Sequence, residues 1–405
     1  MTRVYLGYGM GVDSTAILVR WLEDPSSRNF PLNDLTVVTA QTGNEFPDTG
    51  DMVTTHILPL LRKHHVRYVQ LARSGLLQEA GVTLLDDSTS PTMCYVGGDY
   101  ALAQEWLHGG TIQTSGLQRK CSQKFKGWVI DSWLDHELDE EGEAFRHAIG
   151  FNSEELRRVE KDQAYGSAEG RQPFYPLVDW DWDRQKCLDY IQVQLGVEWQ
   201  KSCCVFCPFA GQGMERASMI ERHKKFPAEA GSAALIELQA LTLNPRMKLY
   251  KSRSLLSVLD TSANDGAVEA FKQQREAVPW ALWHVRRIYT APASARRSVQ
   301  KRVTGTRKVA ENALRRMAWE QGTQPETEQD GLLRLMMRRR AETYPTVEEM
   351  YVAGPALADN KQPKNFEQRW AETLGDRPVS DKNVLNSSAA KSDPVSTTGK
   401  ASKDS

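Results

Sequence analysis

An α/β fold, a parallel sheet with helices on both faces, is predicted by three observations. Short runs rich in β-branched residues, VYLGYG, LTVVTA and VRYVQL, alternate with longer segments of helical period, DSTAILVRWLED and DMVTTHILPLLRKHH. The order is therefore β-α-β-α-β, which a parallel sheet accommodates because each crossover helix returns the chain to the start of the next strand. The first crossover opens on a glycine-rich turn, GYGMGVDST at 7–15, at the carboxyl end of the first strand, where open α/β sheets bind ligands.

After the third strand, residues 75–116 are irregular and glycine-containing, the pattern of a substrate loop or lid. Order returns with a helix from Ser122, a strand in FRHAIGF, a helix starting near Ser153 and another in DRQKCLDYIQVQLG. Beyond residue 262 the character changes. Arg286, Arg287, Arg296, Arg297, Lys301, Arg302, Arg307, Lys308, Arg315 and Arg316 make a basic stretch, read as helical, in which Glu311 is the one acid. The residues after 375 are rich in Ser, Lys, Asp and Ala and read as disordered. Three parts follow: 1–262, the α/β domain with the cysteine group; 263–375, a basic helical C-terminal extension; and 376–405, a disordered tail.

Composition narrows the class. With 405 residues, 40% hydrophobic and 25% charged, the chain reads as soluble and globular, and a net charge of -1 gives no global reason to expect a nucleic-acid or membrane partner. No apolar run approaches the length of a membrane span, and Arg3 and the glycines occupy the place of a secretory signal's apolar core, so a cytoplasmic location is expected. In that reducing compartment the six cysteines read as metal ligands, reactive thiols or small core residues rather than disulfides.

The opening turn has the chemistry of phosphate binding. Glycines let backbone amides approach an anion, and the following helix adds its positive N-terminal end. It is not a Walker loop, because no lysine follows the glycines, and by spacing alone a plain tight βα turn fits equally. The motif GMGVDST resembles the SGGxDS pyrophosphate loop of the adenine nucleotide alpha hydrolase-like (PP-loop) superfamily, with Gly11, Asp13 and Ser14 on matching positions. Gly9 stands where that pattern has serine, and Met10 where it has glycine. TGNEFP at 42–47 resembles the TGxExPxT turn of the phosphoadenosine phosphosulfate (PAPS) reductase-like branch, with Gln41 in place of its usual aspartate. RKCSQKFK, IGFNSEELRR, YPLVDWDWDRQKC with KSCCVFCPF, and LYKSRSL resemble further segments of that branch, in the same order over residues 4–260.

The resemblance implies an adenine nucleotide, ATP with Mg2+, held by Gly9, Gly11, Asp13, Ser14 and Thr15, with Thr42, Gly43 and Glu45 lining the site and Lys126 and Arg158 neutralising charge. Cys204 and Cys207 are spaced CxxC, which lets two thiolates of one turn reach one metal. The family pattern brings Cys121 beside them. Three such ligands suit a [4Fe-4S] cluster with one open iron; a structural zinc is the alternative and calls for a fourth ligand, Cys94 or Cys203. A redox dithiol or a buried pair is the other reading of the CxxC. Cys187, in step with Tyr190, Ile191 and Leu195, reads as a core position, and His64 and His65 as last-turn helix residues. The tryptophans of DWDW are expected to pack the cysteine turn against the sheet.

Function follows as a set of expectations. The thioredoxin-dependent reductases of the branch use a cysteine in a C-terminal Glu-Cys-Gly segment, whereas Cys207 is the last cysteine here. The leading expectation is ATP-dependent adenylation of an acceptor coupled to sulfur transfer, with a sulfur-donor protein as a partner. Sulfonucleotide reduction, or a non-catalytic subunit that binds nucleic acid through 286–316, is the alternative.

Overall fold

The computed structural model describes residues 2–116, 118–138, 144–164, 170–211 and 215–375, so the tail at 376–405 lies outside the described residues. The first sheet contains β1 (Val4–Gly7), β2 (Leu35–Gln41), β3 (Arg67–Arg73), β4 (Val82–Ser88), β5 (Phe145–Ile149) and β6 (Arg171–Phe174), in the spatial order β4-β3-β2-β1-β5-β6. Every pairing is parallel except that of β4, which runs antiparallel to β3 at the edge. In β1, Val4 and Leu6 point toward the helices Val12–Glu23 and Arg184–Leu195, while Tyr5 joins Val129 and Leu134 of the helix Trp128–Glu137 on the other face. Both faces are covered, which is why these strands read as nearly continuous apolar runs. Cys187 is buried in the first of these clusters, as its helical spacing predicts.

The segment 75–116 departs from its irregular reading. It holds β4 and the helix Leu102–Gly109, and Tyr100, Leu102 and Trp106 enter the core. An edge strand buries little of either face, so VTLLDDS lacks the apolar run of its neighbours. The helix expected near Ser153 is Leu156–Gln163, because Asn152 first makes a turn in which its side chain accepts the Glu154 amide. His64 caps the end of the helix Leu58–Lys63, as expected. The tryptophans of DWDW do not reach the cysteine turn: Trp180 and Trp182 stack on the Arg20 guanidinium at 4.2 and 4.5 Å, and Trp106 packs on Phe206 of that turn instead.

The basic helical extension is corrected. Residues 286–305 lie in a five-stranded antiparallel sheet of order β8-β7-β11-β10-β9, made of β7 (Trp280–Ala291), β8 (Ser294–Gly305), β9 (Glu326–Thr327), β10 (Leu333–Arg338) and β11 (Thr346–Pro355). Only Arg307–Glu320 of the basic stretch is helical. The physical reason is visible in WALWHVRRIYTA, whose aromatic and β-branched residues fit a pleated surface. Trp280, Trp283 and Tyr289 are buried from strand positions, and Trp283 and Val352 share one apolar cluster with Phe46, Phe125, Val205 and Leu255. The core therefore runs unbroken across residue 262.

Candidate active site

The strand order reverses at β1, and open α/β sheets hold ligands beyond the carboxyl ends of the strands at such a point. The glycine turn sits there. Gly150, directly after β5, allows the two loops to meet: a Cβ at that position would lie 2.9 Å from the Ser14 amide nitrogen. Met10 adopts φ +59°, a left-handed conformation that disfavours a residue with a Cβ. Its side chain is buried beneath the turn, 3.6 Å from the Cys94 sulfur and 3.7 Å from Gln41 Nε2. Among the described residues the amides from Gly9 to Ser14 have no hydrogen-bond acceptor, and the N-cap Gly11 has no side chain to supply one. Successive free amides around a left-handed residue, continued by a helix N-terminus, form an anion-binding concavity. A Cβ at Gly9 would meet nothing within 4 Å, and one at Gly11 only Ser202 Cβ at 3.8 Å.

The other residues expected at the loop divide. Asp13 lies 3.3 Å from Asn152 Nδ2 and 3.6 Å from Arg184, and burial raises its pKa against the pull of both. The Ser14 hydroxyl donates to Gly11 O. Thr15 is turned inward: it is fully buried, its hydroxyl 3.2 Å from that of Tyr8. Arg158 pairs with Glu155 and covers the Phe151 ring, and both charges act on Asp13.

The second turn faces the first. Gly43 has φ +78°, and a Cβ there would lie 2.6 Å from Ala101 Cβ, so this glycine serves the turn's geometry. The buried Glu45 carboxylate accepts from Lys126 Nζ at 3.5 Å and lies 3.3 Å from Ser202 Oγ, whose one hydrogen goes to the nearer Gly9 O. Burial works against charge on Lys126, but Glu45 and the Cys204 and Cys207 sulfurs outweigh it and hold its pKa above that of an ordinary lysine. Thr42 Oγ1 lies 3.1 Å from the Cys204 sulfur, and Glu45 bridges Cys204 backbone to backbone. Thr42, Glu45, Lys126 and Cys204 are thus brought together.

All six cysteines are free thiols. Cys204 and Cys207 end one turn, closed by the Cys207 amide on Cys204 O at 2.9 Å. Burial raises the pKa of Cys121, and Cys207 beside it adds to the rise. Burial likewise raises Cys207, against backbone amides of Ala210 and Phe209 that bond its sulfur. Three soft thiols have the donor chemistry of an iron–sulfur or zinc site. Among the described residues, however, no group of three or more His, Cys, Asp or Glu side chains is gathered closely enough to hold a metal ion. The candidate fourth ligands divide: Cys203 packs 4.0 Å from Met219 Sδ but interacts electrostatically with Cys207, whereas Cys94, its thiol pushed by burial up to about 12, lies against Met10.

Ser202, Trp199, Asn152 and Arg184 were not singled out in the sequence. Ser202 stood in the quoted KSCCVFCPF, but nothing local marks its hydroxyl as bonding Gly9, 193 residues away. A cavity of about 340 Å³ between the helices Pro227–Leu243 and Asp265–Ala277 contains none of the site residues. Comparison with protein-family models, curated proteins and solved structures returns no match for this chain.

Proposed function

We propose that the chain binds ATP with Mg2+ at the glycine turn, cleaves it between the α- and β-phosphates, adenylates an oxygen of an acceptor and replaces that oxygen with sulfur. The observation that carries the reading is the run of unpartnered amides from Gly9 to Ser14 at the switch point of the sheet. Those amides hold the phosphates. Asp13 positions the Mg2+, and Lys126 and Arg158, beside Glu45 and Asp13, offset charge on the departing pyrophosphate. Adenylation makes chemical sense because an acceptor oxygen leaves poorly and AMP leaves well. Cys121, Cys204 and Cys207 would hold a [4Fe-4S] cluster, with zinc as the alternative, only once drawn closer together than the described structure has them, and a cluster on three thiolates would supply an iron open to sulfide.

Protein purified without oxygen and given α-labelled ATP with fractionated cell extract as acceptor source is expected to release AMP and pyrophosphate. Release of ADP, or no cleavage, contradicts the reading. The same preparation is expected to contain iron that the triple change Cys121→Ser, Cys204→Ser, Cys207→Ser removes. Stoichiometric zinc lost in that variant would replace the cluster and keep the ligands.

A further inference from the structure

The glycine turn contains one residue that should resist its own conformation. Met10 is left-handed at φ +59°, where a glycine would sit without strain. Two bonds hold the chain there: Trp199 Nε1 donates to Met10 O at 3.0 Å, and Ser202 Oγ donates to Gly9 O at 2.8 Å. Both donors belong to the short stretch that runs directly into the cysteine turn. That stretch is itself anchored, because the Val205 amide donates to Asn44 O at 2.9 Å and Cys204 bridges Glu45.

Peptide planarity gives these two bonds a consequence. In a trans peptide the carbonyl of one residue and the amide of the next point in opposite directions. Fixing Gly9 O on Ser202 and Met10 O on Trp199 therefore directs the amides of Met10 and Gly11 away from this clamp, and those amides are among the unpartnered ones.

We infer that Trp199 and Ser202 are positioning residues that hold a non-glycine phosphate loop in its binding conformation, replacing the freedom that a glycine at position 10 would provide. The inference rests on the reading of the turn as a phosphate site. It ties the nucleotide loop to the cysteine turn, since one segment shapes the first and carries the second. A residue that serves packing alone would not have its loss repaired by a glycine at position 10.

The test is calorimetric titration of the full chain with Mg2+-ATP and, separately, with inorganic pyrophosphate. Ser202→Ala is expected to weaken both at least about tenfold, roughly 1.4 kcal/mol, and Ser202→Thr to stay near the parent. Trp199→Phe, which keeps the ring and loses the donor, should weaken both similarly. Met10→Gly should bind within about threefold of the parent, and adding Ser202→Ala to it should cost no more than about threefold further. Equal binding by Ser202→Ala and the parent would overturn the inference and leave the nucleotide site standing. A tenfold loss on adding Ser202→Ala to Met10→Gly would do the same. If the parent binds neither ligand, the phosphate-site reading fails and this inference with it.

Discussion

The two sheets treat their polar groups in opposite ways. At the carboxyl ends of β1, β2 and β5, six successive amides stand without acceptors among the described residues, and a buried carboxylate, a lysine and a cysteine turn converge beside them. In the second sheet, which carries most of the basic stretch, most charged side chains have internal partners, although Arg287 Nη2 and Arg334 Nε are buried without an acceptor among the described residues. Arg287 meets Glu348 at 2.6 Å from the directly opposed position of β11, Arg286 pairs with Glu367, and His284 bonds Glu349 at 2.8 Å and stacks on Tyr351. Arg297 donates to the carbonyls of Gly109 and Gly110, and Arg307 and Arg315 share Glu311. Density of charge in sequence therefore does not locate function here. The proposed phosphate site is marked instead by amides that the fold leaves unpaired among the described residues.

The largest expected effect tests the second sheet. Glu348→Ala would leave the buried Arg287 guanidinium without its carboxylate, and breaking such a pair costs about 3–5 kcal/mol. Urea unfolding should show the loss while ATP affinity stays unchanged. A loss below 1 kcal/mol would mean that this sheet's charges are not structural.

A smaller effect belongs to the first sheet. His147 on β5 is buried, accepts from Arg171 Nε at Nδ1, and is held neutral by burial, with its pKa lowered to about 3. Between that value and the unfolded pKa near 6.5 the unfolded chain binds the extra proton, so stability from this group is complete above 6.5 and is lost as pH falls toward 3. From pH 6.5 to 5 the loss is about 1.6 kcal/mol. His147→Gln, whose amide oxygen can still accept from Arg171, should remove that part of the slope in urea unfolding measured at both pH values. An unchanged slope would assign it to other groups.

The smallest effect concerns Arg296 and Lys308, exposed residues of the basic stretch with no ion pair among the described residues. Reversing both to glutamate should change stability by no more than about 0.5 kcal/mol. Binding to single-stranded nucleic acid at low salt that these reversals abolish would restore the nucleic-acid partner and blur the contrast between the sheets.

How much of this was legible follows the range of the interactions. β1, its glycine turn and the helix Val12–Glu23 are contiguous, and both faces of the strand are buried, so pattern and structure coincide. The second sheet was hidden because its strands carry Arg286, Arg287 and His284, whose partners Glu367, Glu348 and Glu349 lie some 60 to 80 residues away. A local count of acids sees only Glu311. Within the candidate site, Cys204 was marked by its CxxC spacing, and Glu45 and Lys126 by the resemblance of the motifs that contain them. Thr15 was misplaced because helical phase, unread at the first turn, points its hydroxyl at Tyr8. Ser202 and Trp199 bond backbone carbonyls 193 and 189 residues away, and no pattern in the chain encodes that pairing.

The central claim is that the unpartnered amides of the glycine turn hold the phosphates of ATP. Gly11→Val tests it most directly, because Gly11 has an ordinary negative φ and a Cβ there would meet only Ser202, 3.8 Å away, so the fold has room for the change while a phosphate on the turn does not. Calorimetric titration with Mg2+-ATP should show binding by the parent and a loss of at least about a hundredfold, near 2.7 kcal/mol, in Gly11→Val with unfolding unchanged. Equal ATP affinity in the two proteins would contradict the account.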